Sequence, residues 1–132
     1  LSAFKVSKNL DSGPTCMKKN LSLKGSALDI FRRMETTSVQ MIKKIIIKKK
    51  ISFINQKGKP TYFKRRKEND SEINFKNIFN IKELYNFCRM LDAPGYPNAF
   101  IQLNKYKFSF NNVRMNRNKI NAKVEIIKNE KK

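Results

Sequence analysis

The amino-acid sequence predicts an α/β chain in which strands and a long helix precede a small helix-plus-antiparallel-β unit. Two short extended runs, residues 1–6 and 15–23, lie on either side of a turn. An apolar pattern with helical spacing follows them, and strict alternation marks the C-terminal third. Strands followed by a helix with one apolar face are typical of the closing unit of an α/β sheet.

The long helix is predicted over residues 26–49. Ser26 and Asp29 fit a capping pair, and the Asp29 carboxylate also suits the positive end of the helix dipole. Apolar residues recur at helical spacing, namely Ala27, Ile30, Phe31, Met34, Met41, Ile42, Ile45 and Ile46. We expect this apolar stripe to lie in the core.

A basic linker is predicted over residues 51–77, between two domains. A turn at residues 57–60 leads into a run of four cations that begins at Lys64. Lys64, Arg65 and Arg66 are candidate contacts for a substrate or another polyanion. A solvated surface stretch is the alternative interpretation.

The C-terminal domain is predicted over residues 78–128, after a first domain over residues 1–50 and before a solvated tail over residues 129–132. Asn80 and Glu83 fit a second capping pair, at the start of a short helix.

Cys88 lies on the apolar seam of this helix and is predicted to be a small hydrophobe. Strands over residues 99–103 and 106–110 are joined by the turn Asn104-Lys105, and a last strand covers residues 120–126.

The charge is strongly positive, with 30 Lys and Arg against 10 Asp and Glu and a net charge of +20. Such a charge attracts polyanions, including RNA and nucleotide-linked substrates. AT-biased coding, which raises the lysine content without selection for binding, is the competing explanation. Because 39% of the residues are hydrophobic, the composition is not that of a disordered chain.

Several site chemistries are excluded by composition. The chain has no His and only two cysteines, Cys16 and Cys88, so His-dependent zinc sites and Ser-His or Cys-His pairs cannot form within it. We therefore expect no metal site. No apolar run approaches the roughly 20 residues of a membrane span, and a cytoplasmic protein that does not bind membranes is expected.

Asp11 is the candidate catalytic residue. It is the only carboxylate in the first 28 residues, and it lies in the turn sequence Leu-Asp-Ser-Gly-Pro. A lone Asp held by a turn after a strand can present its carboxylate to a ligand. These residues also form turns without any function.

Four sequence blocks, in order, resemble the second half of a formyltetrahydrofolate-dependent formyltransferase over residues 1–127. The blocks are residues 9–14 (Asn-Leu-Asp-Ser-Gly-Pro), residues 21–26 (Leu-Ser-Leu-Lys-Gly-Ser), residues 63–66 (Phe-Lys-Arg-Arg) and residues 89–100 (Arg-Met-Leu-Asp-Ala-Pro-Gly-Tyr-Pro-Asn-Ala-Phe). The resemblance implies the C-terminal part of a Rossmann-like catalytic domain followed by a small C-terminal domain. It also implies formyltetrahydrofolate as co-substrate and a primary amine as acceptor.

By motif position, Asp11 matches the catalytic Asp of the family, and Ser12 and Gly13 lie where the family binds the cofactor. The Asn and His that complete the family's site belong to the first half of its catalytic domain. That half is missing here, so the chain is expected to be inactive alone. We also expect an uncovered apolar helix face around residues 42–46.

The resemblance leaves the acceptor open between a nucleotide-linked amino sugar and an aminoacyl-tRNA. The sugar is favoured by the form of the Leu-Asp-Ala-Pro-Gly-Tyr-Pro block and by the shortness of the chain after Asn77. The high positive charge favours tRNA, the acceptor of methionyl-tRNA formyltransferase.

A hypothesis from another class is a stand-alone basic RNA-binding module. Tyr106, Phe108 and Phe110 would stack on bases, with Lys105 and Lys107 beside them. This hypothesis does not explain the turn around Asp11.

Overall fold

The computed structural model describes residues 1–129, which divide into two compact units. The first unit comprises Leu1–Leu23 and Ile30–Phe63. The second comprises Lys24–Asp29 and the described residues from Lys64 onward. Their sheets are antiparallel, of two and three strands, and a Rossmann-like parallel sheet is not seen in residues 1–129.

The first unit contains strands β1 (Ser2–Phe4) and β2 (Thr15–Lys18), which pair antiparallel. Strand β1 is shorter than predicted because the ladder is interrupted at Phe4 and the chain then enters a loop, and β2 ends at Lys18, which pairs with Ser2. Thr15 and Ile54 exchange two backbone hydrogen bonds of 2.8 Å, so residue 54 forms a bridge at the other edge of β2.

Helix α1 runs over Ala27–Ile47, close to the predicted range. The predicted capping pair is confirmed: Ser26 N and Oγ donate to Asp29 Oδ2 at 2.9 and 3.0 Å, and Asp29 N donates to Ser26 Oγ at 3.3 Å. The predicted core stripe is only partly buried. Met41 is 3% exposed, whereas Ile42 is 55% and Ile46 is 76% exposed, because no described element packs over them.

The second half of the predicted linker packs on the second unit. Two short 3-10 helices, Glu68–Ser71 and Phe75–Asn77, lie within it. Between them, Ile73 is buried and donates its N–H to the Phe100 carbonyl at 2.8 Å.

The second unit contains helix α2 (Ile81–Arg89) and strands β3 (Ala99–Leu103), β4 (Tyr106–Asn116) and β5 (Lys119–Lys128), in sheet order β3-β4-β5. The predicted Asn80–Glu83 cap is confirmed, since Glu83 N donates to Asn80 Oδ1 at 2.9 Å.

The predicted β3–β4 hairpin is also present, with Asn104 at φ +52°. Strand β4 is longer than predicted because it continues past an irregularity between Asn111 and Arg114 and stays paired with β5.

The core of the second unit lies between α2 and one face of the sheet. Its buried members are Ile73, Cys88, Leu91, Ala99 and Val113. Within residues 1–129, no helix is long and apolar enough to cross a membrane.

Candidate functional site

Asp11 lies in an exposed loop of the first unit, between β1 and β2, with its backbone at φ +52°. Asp is among the residues that tolerate this left-handed conformation. The Gln56 side chain fixes the loop, because its Nε2 donates to the carbonyls of Asp11 and Gly13, both at 2.8 Å. The Asp11 carboxylate itself has no hydrogen-bond partner within the described part of the chain, so it is available to a ligand.

Ser12, a predicted cofactor contact, forms hydrogen bonds with other residues of this loop. Its hydroxyl donates to the Asn9 carbonyl at 3.0 Å and lies 2.9 Å from the Ser7 hydroxyl. Ser7 Oγ also donates to the Asn9 carbonyl, at 3.0 Å. The hydroxyl thus has a structural role, and contact with a cofactor stays a prediction.

Gly13, the other predicted cofactor contact, is buried against the backbone that follows β1. A Cβ atom at this position would lie 1.7 Å from the Lys5 carbonyl oxygen, so no other residue fits without a backbone shift. The neighbouring Lys5 N–H donates to the Pro14 carbonyl at 2.9 Å. Glycine is therefore required by close packing of the two sides of the loop, and cofactor binding there also stays a prediction.

Gln56 is the residue of this loop that the sequence did not indicate. It is 45 residues from Asp11 and lies in a segment that was predicted to be a linker. No periodicity or short motif connects two positions so far apart, so only the folded chain identifies it.

The three predicted polyanion contacts, Lys64, Arg65 and Arg66, differ in the contacts that their side chains make within the protein. Lys64 and Arg65 are exposed. Arg66 donates from Nη2 to the Asp70 carbonyl, and its guanidinium carbon lies 5.3 Å from the centre of the Phe87 ring. The guanidinium therefore holds a 3-10 helix against α2. These three residues belong to the second unit and Asp11 to the first.

The block over residues 89–100 builds the connection between α2, the start of α1 and β4. Arg89 Nη1 donates to the Gly25 carbonyl at 2.7 Å, and the Asp92 carbonyl accepts from Leu28 N at 3.3 Å. The Asp92 carboxylate accepts from the N–H groups of Asn112 and Val113. The block therefore has a structural role within the second unit.

A cavity of about 730 Å³, lined by both polar and apolar groups, lies in the second unit beside these contacts. The start of α1, the α2–β3 connection and the irregular part of β4 line it, through residues that include Asp29, Asp92, Asn98 and Arg114. Asp29 and Asp92 both accept hydrogen bonds within the protein, so neither carboxylate lacks a hydrogen-bond partner.

Cys88 is a buried member of the core, as predicted. Burial, and secondarily the charge of Asp92, raises the pKa of its thiol to about 11. A thiol that stays protonated at neutral pH is a poor nucleophile. Within residues 1–129, no three His, Cys, Asp or Glu side chains come together as a metal site.

The three rings of the predicted aromatic RNA platform on β4 differ in exposure. Phe110 packs against the core cluster, Phe108 is half-buried and Tyr106 is 39% exposed. Phe110 therefore contributes to the buried side that a small sheet needs for stability, and RNA binding by the other two rings stays a prediction.

Comparison with known proteins identifies similar molecules. The family described as methionyl-tRNA formyltransferase, C-terminal domain, matches residues 68–127. A methionyl-tRNA formyltransferase from Clostridium thermocellum is 39% identical over 96% of this chain and 55% of its own, with a TM-score of 0.88.

A 4-N formyltransferase from Francisella tularensis has 15% identity and a TM-score of 0.69, covering 98% of this chain and 50% of its own, which shows similarity of fold alone. No curated protein sequence matches. The chain thus spans about half the length of the solved structures that it resembles.

Proposed function

The chain belongs to the formyltransferase family and matches its C-terminal half, and from this premise we propose that the complete protein formylates an aminoacyl-tRNA. The formyl group would come from formyltetrahydrofolate, the co-substrate of the family. The observation that carries the choice of acceptor is the 39% identity with a methionyl-tRNA formyltransferase, together with the matching C-terminal domain.

A nucleotide-linked amino sugar, which the sequence favoured, is the second candidate acceptor. The form of residues 91–97 supports it. It receives less support than tRNA because the 4-N formyltransferase is similar in fold only, at 15% identity. A cytoplasmic location is part of the same proposal.

Asp11 is the proposed catalytic residue of this chain. Its role would be to orient and charge-stabilise the His of the other half, or to relay the proton that leaves the attacking amine. The support is geometric: the carboxylate is exposed and without a partner in residues 1–129, while Gln56 holds the backbone on both sides of Ser12. A carboxylate on a fixed loop loses little further freedom when it acts.

The Asn and His of the site are proposed to come from a further segment that packs on the first unit. One face of α1 there is apolar and uncovered: Val39 is 48%, Ile42 55% and Ile46 76% exposed. Contiguous exposed apolar surface marks an interaction site. Without that segment, we expect no formyl transfer by these 132 residues alone.

The proposal is tested with the complete enzyme, formyltetrahydrofolate and both acceptors side by side. We expect formylation of methionyl-tRNA, and formylation of the amino-sugar nucleotide alone would contradict the choice of acceptor. Asp11→Asn should lower kcat by about a hundredfold or more. Glu35→Gln, which alters an exposed carboxylate on α1, is the matched control and should leave kcat unchanged.

A further inference from the structure

Two neighbouring aromatic side chains, Tyr62 and Phe63, are almost fully exposed at the end of the first unit. Tyr62 is 88% and Phe63 is 90% exposed. Every residue from 57 to 63 is exposed, and none of them belongs to a helix or strand. Because a large ring is normally buried, two adjacent rings in solvent indicate a surface that another molecule covers.

The same segment carries positive charge. Lys57 and Lys59 precede the rings, and both are exposed. Gly58, between them, has φ +105°, a conformation that only glycine adopts readily, so the turn that spaces the two lysines depends on it. Aromatic rings with cations beside them are the combination that binds single-stranded nucleic acid, because bases stack on the rings and lysines contact the phosphates.

We propose that residues 57–63 are a stacking platform for unpaired nucleotides of RNA. The inference rests on the proposed function, in which the acceptor is a tRNA, and adds the site that takes a single-stranded part of it. RNA is a better match than an apolar protein surface, because the lysines on the segment and the net charge of +20 favour a polyanion.

Phe79 provides a comparison within the same chain. It is 85% exposed, its neighbours in the sequence, Ile78 and Asn80, are not aromatic, and its backbone N–H donates to Glu83 Oε2 at 2.8 Å. A single exposed ring outside residues 57–63 is not part of the proposed platform, so Phe79→Ala is the matched control.

The test measures binding of a fluorescently labelled 12-nucleotide oligouridylate to the complete enzyme by anisotropy over a range of salt concentrations. The double variant Tyr62→Ala/Phe63→Ala should bind about tenfold to a hundredfold more weakly, with an unchanged dependence on salt. Lys57→Gln/Lys59→Gln should reduce the slope of log K against log salt by about 1.4, for two phosphate contacts on a single strand. Phe79→Ala should bind like the unmodified chain.

Equal affinity of Tyr62→Ala/Phe63→Ala and the unmodified chain would overturn the platform, provided that circular dichroism shows both to be folded. A double-stranded RNA of the same length that competes as well as the oligouridylate would also overturn it, since paired bases cannot stack on the rings. If the complete enzyme binds RNA with an affinity that does not depend on Tyr62 and Phe63, the proposal is wrong and a protein segment covers the two rings.

Formylation assays separate this inference from the proposed function. Ring-dependent binding without formylation of methionyl-tRNA contradicts the function and leaves the platform standing. Formylation that is insensitive to Tyr62→Ala/Phe63→Ala contradicts the platform alone.

Discussion

Asp92 Oδ2 accepts a hydrogen bond of 2.9 Å from the backbone N–H of Val113, which is buried in the core of the second unit. The other carboxylate oxygen accepts from Asn112 N at 3.1 Å, at the point where Asn112 takes φ +50° and the β4–β5 register shifts. The irregularity is a β-bulge, which leaves backbone groups of the ladder unpaired, and the Asp92 carboxylate accepts hydrogen bonds from two of these N–H groups.

Asp92→Asn should destabilise the chain. The amide that replaces one oxygen faces an N–H donor and cannot accept from it, which leaves a backbone group unsatisfied at a cost of about 1–3 kcal/mol. Urea unfolding measures the loss. Asp11→Asn is the control, since its carboxylate has no partner in residues 1–129, and its free energy of unfolding should change by less than about 0.5 kcal/mol. Equal stability of both variants would contradict the bulge contact.

Gly13→Ala should disrupt the loop that carries Asp11. The added Cβ would lie 1.7 Å from the Lys5 carbonyl oxygen, so the backbone must move, and we expect a loss of about 3 kcal/mol or more. Hydrogen exchange at Lys5 N–H, which donates to the Pro14 carbonyl, reports the change directly. Gly58→Ala is the comparison, because its Cβ meets no atom within 4 Å and only the φ of +105° opposes it. Unaltered exchange at Lys5 in Gly13→Ala would show that the two backbones are further apart.

Arg66→Met should cost about 1–2 kcal/mol of stability, because it removes both the hydrogen bond to the Asp70 carbonyl and the contact with the Phe87 ring. Arg65→Met removes an exposed charge and should leave the free energy of unfolding nearly unchanged. Thermal unfolding of the two variants compares them under identical conditions. If Arg65→Met were the more destabilising of the two, the assigned role of Arg66 would be wrong.

Cys88 should resist alkylation and oxidation near neutral pH. Burial raises the pKa of its thiol from an ordinary value of 9.0 to about 11, so the protonated form is favoured in the folded protein. Stability from this group is complete below pH 9 and is lost as the pH rises toward 11, because the unfolded thiol ionises first.

Thiol titration with an aromatic disulfide at pH 8 should therefore show Cys16, which is half-buried, reacting well before Cys88. The variant Cys16→Ser, which keeps only Cys88, should react slowly until denaturant is added. Rapid reaction of Cys88 in the folded variant would contradict its burial.

The elements that the sequence predicted well are those fixed by neighbours along the chain. The caps of α1 and α2 join residues three apart, at Ser26–Asp29 and Asn80–Glu83, and side-chain chemistry alone specifies them. The hairpin turn at Asn104-Lys105 is equally local. The resemblance to the formyltransferase family also depends on short blocks of neighbouring residues, and comparison with known proteins confirms it.

Only the tertiary structure decided which contacts the residues of those blocks make. The sequence places Asp11 in a turn, but the fold assigns Gln56 to hold that turn and the Lys5 backbone to require Gly13. It also uses Arg66 within the protein, although the sequence grouped it with two exposed cations. Long-range hydrogen bonds and close backbone contacts join positions without any periodic relation, so sequence pattern specifies the local elements and packing specifies their contacts.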